Sequence, residues 1–176
     1  SAGAEVLART HVRDTEQDTR DKLETALETS DVVIVSSGVS VGPHDHVKPA
    51  LEALGVTESF WRVALRPGKP TWFGTRSGTV VFGLPGNPVS AMVTFLLFAR
   101  PALAKLQGAD PTQTRIQARL AQAVPRFPNR DEAVRVTLTD DPDGGGRVAA
   151  PTGPQGSHQL TSMLHADGLA LVTQGD

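Results

Sequence analysis

Over the first 110 residues, apolar positions recur in alternating strand-like and helix-like blocks; beyond that they fall in short runs. Residues 4–12, AEVLARTHV, alternate loosely between apolar and polar and predict a strand. RDTEQDTRDKLETALETS predicts a helix capped by Thr15, with the Asp18 carboxylate near its positive end and Leu23, Ala26 and Leu27 as its apolar stripe. DVVIVSS is a continuous β-branched run, the pattern of a strand in a parallel sheet covered by helices on both faces. The loop SGVSVGPHD follows, then the helix HVKPALEALG, stopped by Gly55. FWRVAL predicts a short strand and RPGKP a rigid turn. TWFGTRSGTVVFGLPG predicts a hairpin turning at Arg76-Ser77-Gly78. VSAMVTFLLFARPALAKLQG predicts a long apolar helix, kinked by Pro101 and closed by Gly108.

This alternation predicts an α/β layered fold for residues 1–110. From residue 111 onward the short segments RIQARLAQAVPR, DEAVRVTLTDDPDGGGRVAA and GLALVTQGD predict a small all-β domain, with Asp141–Gly146 as a hairpin turn. The chain does not begin with Met, and AEVL reads as a strand already under way, so a longer protein is expected around it. No run of about 18 apolar residues is expected to cross a bilayer, and the first residues lack a secretory pattern.

Composition sharpens the picture only in places. Aromatics are few, so the core is expected to be Leu, Val and Ala. A net charge of −2 gives no bulk attraction to nucleic acid or anionic membranes, so an anionic ligand needs local cations. The chain has no cysteine, which excludes disulfides, thiolate metal sites and a cysteine nucleophile. That suits a reducing compartment such as the cytoplasm, although exported proteins also lack cysteine.

Candidate chemistry gathers where strands run into helices, the usual ligand edge of a parallel sheet. Two such junctions share one composition: Ser36-Ser37-Gly38-Val39-Ser40-Val41-Gly42 and Gly83-Leu84-Pro85-Gly86-Asn87-Pro88-Val89-Ser90. Glycines admit close backbone approach, and exposed N–H groups suit an oxyanion. In the second loop Asn87 fits a helix cap and Pro88 the first helical position. By composition alone, both loops read equally well as ordinary tight turns. Neither carries a nucleotide fingerprint, and PGKP is not a Walker motif. Arg62, Arg66 and Lys69 form a basic trio; on one strand Arg62 and Arg66 share a face, and Lys69 follows on a proline-stiffened turn. Three fixed cations suit phosphate or a tetrahedral oxyanion such as molybdate or sulfate, and read equally as a solvated charged strand edge. His44-Asp45-His46 cannot converge on one metal from a helix. Asp45 and Asp14, each at a strand-to-helix junction, suit either a Mg²⁺ ion and water or a helix cap.

SSGVSVGPHDHVKPAL, FWRVALRPGKPTWFG, VFGLPGNPVSAMVTF and PTGPQGSHQLTS, in that order, resemble the molybdopterin molybdenumtransferase family, to which MoeA and the gephyrin E domain belong. The resemblance covers nearly the whole chain. It implies the later part of a molybdopterin-binding α/β domain followed by the family's C-terminal β domain, with earlier domains absent. It implies an enzyme that inserts molybdate into adenylylated molybdopterin with release of AMP, aided by Mg²⁺ or a similar divalent cation. On that resemblance Asp14, Asp45 and Lys69 are catalytic, the two aspartates as metal ligands. Ser36, Gly38, Ser40, Gly42, Arg62, Arg66, Gly83, Pro85, Gly86, Asn87, Pro88 and Ser90 bind substrate, joined by Arg135 and Ser157 from the C-terminal part. It further implies a cytoplasmic homodimer and an adenylyltransferase partner, with no nucleic acid or membrane involved. Ser37 departs from the family's usual glycine, and Arg62 and Arg66 stand where lysine is common. Two other readings remain: a molybdopterin adenylyltransferase, which PTGPQGSH speaks against, and a non-catalytic scaffold on the same fold.

Overall fold

The computed structural model describes residues 2–39, 45–142 and 144–175. Helix α1 (Glu16–Thr29) begins as its sequence dictates: Thr15 is extended, and its hydroxyl accepts the Asp18 N–H at 3.4 Å. The Asp18 carboxylate reaches back to the Arg13 N–H at 2.6 Å, a reciprocal cap. Leu23 and Leu27 are the buried stripe. The chain continues through β1 (Val32–Ser36), α2 (Val47–Ala53), β2 (Thr57–Trp61), β3 (Leu65–Arg66), β4 (Trp72–Arg76) and β5 (Thr79–Leu84). A long helix follows in three parts: α3 (Pro88–Thr94), a π turn (Phe95–Ala99) and α4 (Arg100–Leu106). The remainder is β6 (Ala118–Leu120), β7 (Asp131–Asp140), β8 (Arg147–Pro151), the short helix α5 (Thr161–Leu164) and β9 (Gly168–Val172).

Two sheets result. The first has the order β1-β5-β4-β2. Only β1 and β5 are parallel, from Val32↔Val80 to Ser36↔Leu84; β4 pairs antiparallel with both β5 and β2. It is a mixed sheet, because the β4–β5 connection is a tight hairpin. Ser77 and Gly78 have φ of 47° and 95°, the two left-handed residues that such a turn requires. α1 and α2 cover one face, where Leu23, Leu27, Leu51 and Leu54 pack with Val33, Trp72 and Val81. On the other face Phe82 and Leu84 pack with Ala99 and Phe95. The second sheet has the order β3-β7-β8-β6, with β9 also on β7. The expected β7–β8 hairpin is present, closing at Asp140↔Arg147. The C-terminal part is β apart from α5.

The long helix serves both sheets. Val89 and Val93 pack with Leu65, Leu97 and Ala133 toward the second sheet, while Phe95 and Ala99 pack with Phe82 and Leu84 of the first. The two stripes, 89-93-97 and 95-99, are offset by two positions, about 200° around a helix. The span Pro88–Leu106 is 19 residues with mean hydropathy 1.5, so by length and composition it could cross a membrane, contrary to the sequence expectation. Its apolarity has a structural use here, because two opposite faces each meet a sheet. Pro101 acts differently from a simple kink. Its ring needs room beside the preceding turn, and that turn widens to the π form over Phe95–Ala99. Within it, the Leu96 carbonyl accepts the Gln113 side-chain amide.

Two predicted strands are not found as written. Residues 4–12 pair with no strand among the described residues, and Val6 and Leu7 are 79% and 61% exposed. Alternation alone cannot make a strand without a partner edge. FWRVAL is broken at Arg62, whose φ of 69° is left-handed. The Arg62 N–H donates to the Thr71 carbonyl and the Val63 N–H to the Lys69 carbonyl, at 2.9 and 3.0 Å. The chain thus folds back over the RPGKP turn, and Leu65–Arg66 joins β7 in the other sheet. Arg62 and Arg66 therefore do not share a strand face.

Candidate functional site

The parallel pairing of β1 and β5 brings their carboxyl tips side by side, and both glycine loops leave from that edge. The Ser37 N–H donates to the Leu84 carbonyl at 3.0 Å, and the Ser36 hydroxyl to the Pro85 carbonyl at 3.4 Å. The loops touch closely enough to require glycine. A Cβ on Gly86 would lie 2.9 Å from the Ser37 hydroxyl, and one on Gly83 would lie 2.5 Å from the buried Val39 side chain. Gly38, at φ 73°, leaves no room for a side chain against Val47 at the start of α2. Ser37 has φ 81°, a conformation in which a non-glycine residue is strained. Ser40, Gly42 and His44 lie outside the described residues.

Asp45 is half-buried and stands two residues before α2, on this same edge. Asp14 does not end a strand, since residues 4–12 form none. The C-terminus of α1 is tied to the start of β5 by the Thr79 hydroxyl, which donates to the Ser30 carbonyl at 3.2 Å. Leu23 and Leu27 lay α1 on the face of β1 and β5, and Asp14 stands two residues before its first turn. Among the described residues no group of three His, Asp or Glu side chains gathers for a metal.

The second loop is tied to the C-terminal part. Asn87 occupies the cap position and Pro88 the first turn of α3, as expected, but the Asn87 side chain caps nothing. Its Nδ2 donates instead to the Ser157 hydroxyl at 3.1 Å, and its Oδ1 is buried without a hydrogen-bond partner. Ser90 is buried one turn into the helix. Behind Ser157 lies Arg135, fully buried at 0% exposure. Its Nε donates to the Ser162 hydroxyl at 3.1 Å and its Nη2 to the Gly156 carbonyl at 3.2 Å. Its own N–H donates to the Gln155 side chain at 2.8 Å. Arg135 thus grips the 155–157 loop from inside. Burial pushes its pKa down, the Glu132 carboxylate pulls it up, and the Arg66 charge pushes it down again. Arg66 stands 3.7 Å from Glu132 and over the Phe127 ring.

The basic trio is therefore divided. Arg66 faces the second sheet. Arg62 lies over the Trp61 ring at 4.2 Å, where Lys48 also sits at 3.7 Å. Trp61 in turn donates its indole N–H to the Val39 carbonyl of the first glycine loop, at 3.1 Å. Lys69 is exposed on a turn whose Gly68, at φ 132°, packs against Thr94 of α3. Lys48, Trp61 and Glu132 escaped the sequence reading. The adjacency of Trp61 to Arg62 was a usable signal for a cation held on a ring. Lys48 and Glu132 gave none, because their partners are distant in sequence. Glu58 bonds Lys48 at 3.0 Å and the Trp72 indole at 2.6 Å. Partial burial works against its charge, but those hydrogen bonds outweigh it and hold its pKa below the usual carboxylate range.

Paired glycine loops at the tips of two parallel strands define an α/β protein, with those loops at the edge where such sheets usually bind ligands. The comparisons specify the kind. Residues 1–105 match the family described as "Probable molybdopterin binding domain", and residues 117–176 match "MoeA C-terminal region (domain IV)". The chain belongs to the MoeA family of molybdenum cofactor biosynthesis proteins. It is 36% identical to gephyrin from Dictyostelium discoideum over 88% of this chain and 26% of the relative. It is 52% identical to a molybdopterin molybdenumtransferase from Haemophilus influenzae over 45% of this chain and 19% of the relative. A crystal structure of the MoeA molybdopterin biosynthesis protein from Pyrococcus horikoshii superposes with a TM-score of 0.71 at 31% identity, covering 93% of this chain and 38% of that one. The chain thus spans about a quarter of the length of the first of these relatives.

Two outcomes follow from this geometry. Ser37→Gly relieves the left-handed strain and raises stability by about 1 kcal/mol; a denaturant midpoint that falls contradicts it. Glu58, with its folded pKa lowered, contributes stability that is present above the ordinary value near 4.3 and is lost as pH falls through the folded value. Glu58→Gln therefore narrows the stability difference from the parent chain as pH drops from about 6 to 3. Parallel stability curves across that range exclude the effect.

Proposed function

We propose that this chain is the later part of a molybdopterin-binding unit, near residues 1–110, followed by a β domain from about residue 111. Together they contribute to an enzyme that inserts molybdate into adenylylated molybdopterin and releases AMP. The observation that carries this reading is the Asn87–Ser157 contact at 3.1 Å, which joins the glycine loop of one part to the QGS loop of the other. An anion placed at that seam would meet residues that the family resemblance assigns to substrate, Asn87, Ser90 and Ser157, with Lys69 on the turn against α3. Ser36, Gly38, Gly83, Pro85 and Gly86 shape the neighbouring strand tips, where the pterin phosphate would rest against backbone. Arg62 supplies charge from its seat on Trp61, and Arg135 sets the QGS loop rather than reaching the anion itself.

Asp14 and Asp45 suit a Mg²⁺ ion, which takes one or two carboxylates and completes its shell with waters and substrate phosphates. When bound there it would polarise the adenylate phosphate. The protein's own share is positional and electrostatic: loops hold the phosphate, Lys69 and Arg62 offset its charge, and no nucleophilic side chain is needed. In the full-length protein this reading includes a cytoplasmic homodimer and hand-over from an adenylyltransferase partner. The chain's lack of cysteine is no objection to the chemistry, since the dithiolene sulfurs belong to the ligand.

The test is turnover by the full-length protein supplied with molybdate and adenylylated molybdopterin, with AMP release as readout. Lys69→Ala raises the molybdate concentration needed for half-maximal release by roughly tenfold, most strongly at low ionic strength. No AMP release from the intact parent protein removes the enzymatic reading. A substituted protein with an unchanged molybdate requirement removes Lys69 from it.

A further inference from the structure

Trp61 enters the proposed function only as a seat for Arg62, yet it also grips the first glycine loop. Direct pairing across the first sheet sets Val35, Gly83, Trp72 and Trp61 in one row, one residue from each strand. Directly paired residues share a face, here the one that α1 and α2 cover. Gly83 leaves a gap in the row. Val39, 2% exposed, descends into it: a Cβ on Gly83 would stand 2.5 Å from the Val39 side chain. From β2, at the far side of the sheet from β1, the Trp61 indole N–H donates to the Val39 carbonyl at 3.1 Å. The first glycine loop is thus seated by a side chain on Gly83 and tied by its backbone to Trp61. Trp61 also orders charge. Lys48 Nζ lies 3.7 Å and the Arg62 guanidinium carbon 4.2 Å from its ring centroid. Successive residues of an extended chain project to opposite faces, and the left-handed φ of 69° at Arg62 breaks that alternation. A cation on an exposed ring returns less than such a conformation costs. The backbone bonds from Arg62 to Thr71 and from Val63 to Lys69 therefore impose it. Glu58 pairs with Lys48 at 3.0 Å, and among the described residues no acid pairs with Arg62.

We infer that Trp61 is a positioning residue for the phosphate-bearing substrate: its N–H fixes the Val39 backbone of the first glycine loop, and its ring keeps Lys48, with Arg62, beside that loop. The inference rests on the proposed resting place of the pterin phosphate at the strand tips. It adds Lys48 and Trp61 to that place and sets them apart from the molybdate seam at Asn87 and Ser157. The indole bond has a second use. A carbonyl oxygen engaged by a donor does not turn toward phosphate oxygens, which it would repel. Loss of the N–H therefore weakens phosphate binding without touching the seam, and loss of the Lys48 charge does the same through electrostatics alone.

The test uses the full-length protein, with adenylylated molybdopterin and molybdate each varied against a saturating level of the other. AMP release is the readout and thermal unfolding the control. Trp61→Phe keeps a ring for the cations and deletes the N–H. The KM for adenylylated molybdopterin rises roughly three- to tenfold, the worth of one lost hydrogen bond. The half-saturating molybdate concentration and kcat stay within about twofold of the parent. Lys48→Met raises the same KM to a similar extent at low ionic strength, an effect that shrinks with added salt, and Lys48→Arg restores it. The Trp61→Phe effect involves no change of charge and persists at high salt. A folded Trp61→Phe protein with an unchanged KM, or with both constants raised alike as general loosening would do, overturns the inference and leaves AMP release standing. Should Trp61→Phe not fold, a Lys48→Met protein with an unchanged KM, or one that Lys48→Arg does not rescue, overturns it in the same way. A parent protein that releases no AMP overturns the proposed function, and this inference with it.

Discussion

The arrangement depends on the double burial of one helix. Pro88–Leu106 presents Val89, Val93 and Leu97 to the second sheet and Phe95 and Ala99 to the first. A helix with one apolar stripe could pack on either sheet and swing freely from the other. Two opposed stripes remove that freedom, because the cost of exposing either is several buried apolar side chains. Its N-terminus, where Asn87 and Pro88 sit, is thereby fixed relative to both sheets. The seam between the GLPGNP and QGS loops follows from that constraint, and needs only one direct hydrogen bond to close it.

Around the seam, polar groups are held from behind. Arg135 is buried and spends its donors on Gly156 and Ser162, so it shapes the loop instead of lining the surface. Trp61 does the same for the first glycine loop, bonding the Val39 carbonyl while carrying Lys48 and Arg62 on its ring. The backbone is least relaxed at these places: Ser37 and Arg62 both have left-handed φ, at 81° and 69°. Strain of this kind persists where the surroundings over-determine a conformation. Ser37 has two such determinants, the Leu84 carbonyl and the close approach of Gly86.

Much of the fold was legible because it is local. Thr15 and Asp18 announce α1, Gly55 ends α2, and Ser77-Gly78 make the hairpin, each through chemistry within a few residues. The two strand-tip loops could be read as neighbours because a βα unit returns its chain to the same edge. What escaped was set by distant partners. AEVLARTHV alternates correctly yet has no edge to pair with. FWRVAL is split because Leu65 and Arg66 find a better partner in β7, sixty-odd residues away. That split also divides the basic trio, which sequence proximity had joined. Arg135 and Ser157 came only through family resemblance, and Glu132 not at all. A buried charge network leaves no periodic trace, since its members lie on separate strands.

The central claim is that an oxyanion sits at the seam between the two parts of the chain. Tungstate is a tetrahedral stand-in for molybdate with strong anomalous scattering. A crystal of this protein soaked with it should show its principal anomalous peak beside Asn87, Ser90 and Ser157, within reach of Lys69. A strong peak elsewhere, with that seam empty and its side chains unmoved, contradicts the account.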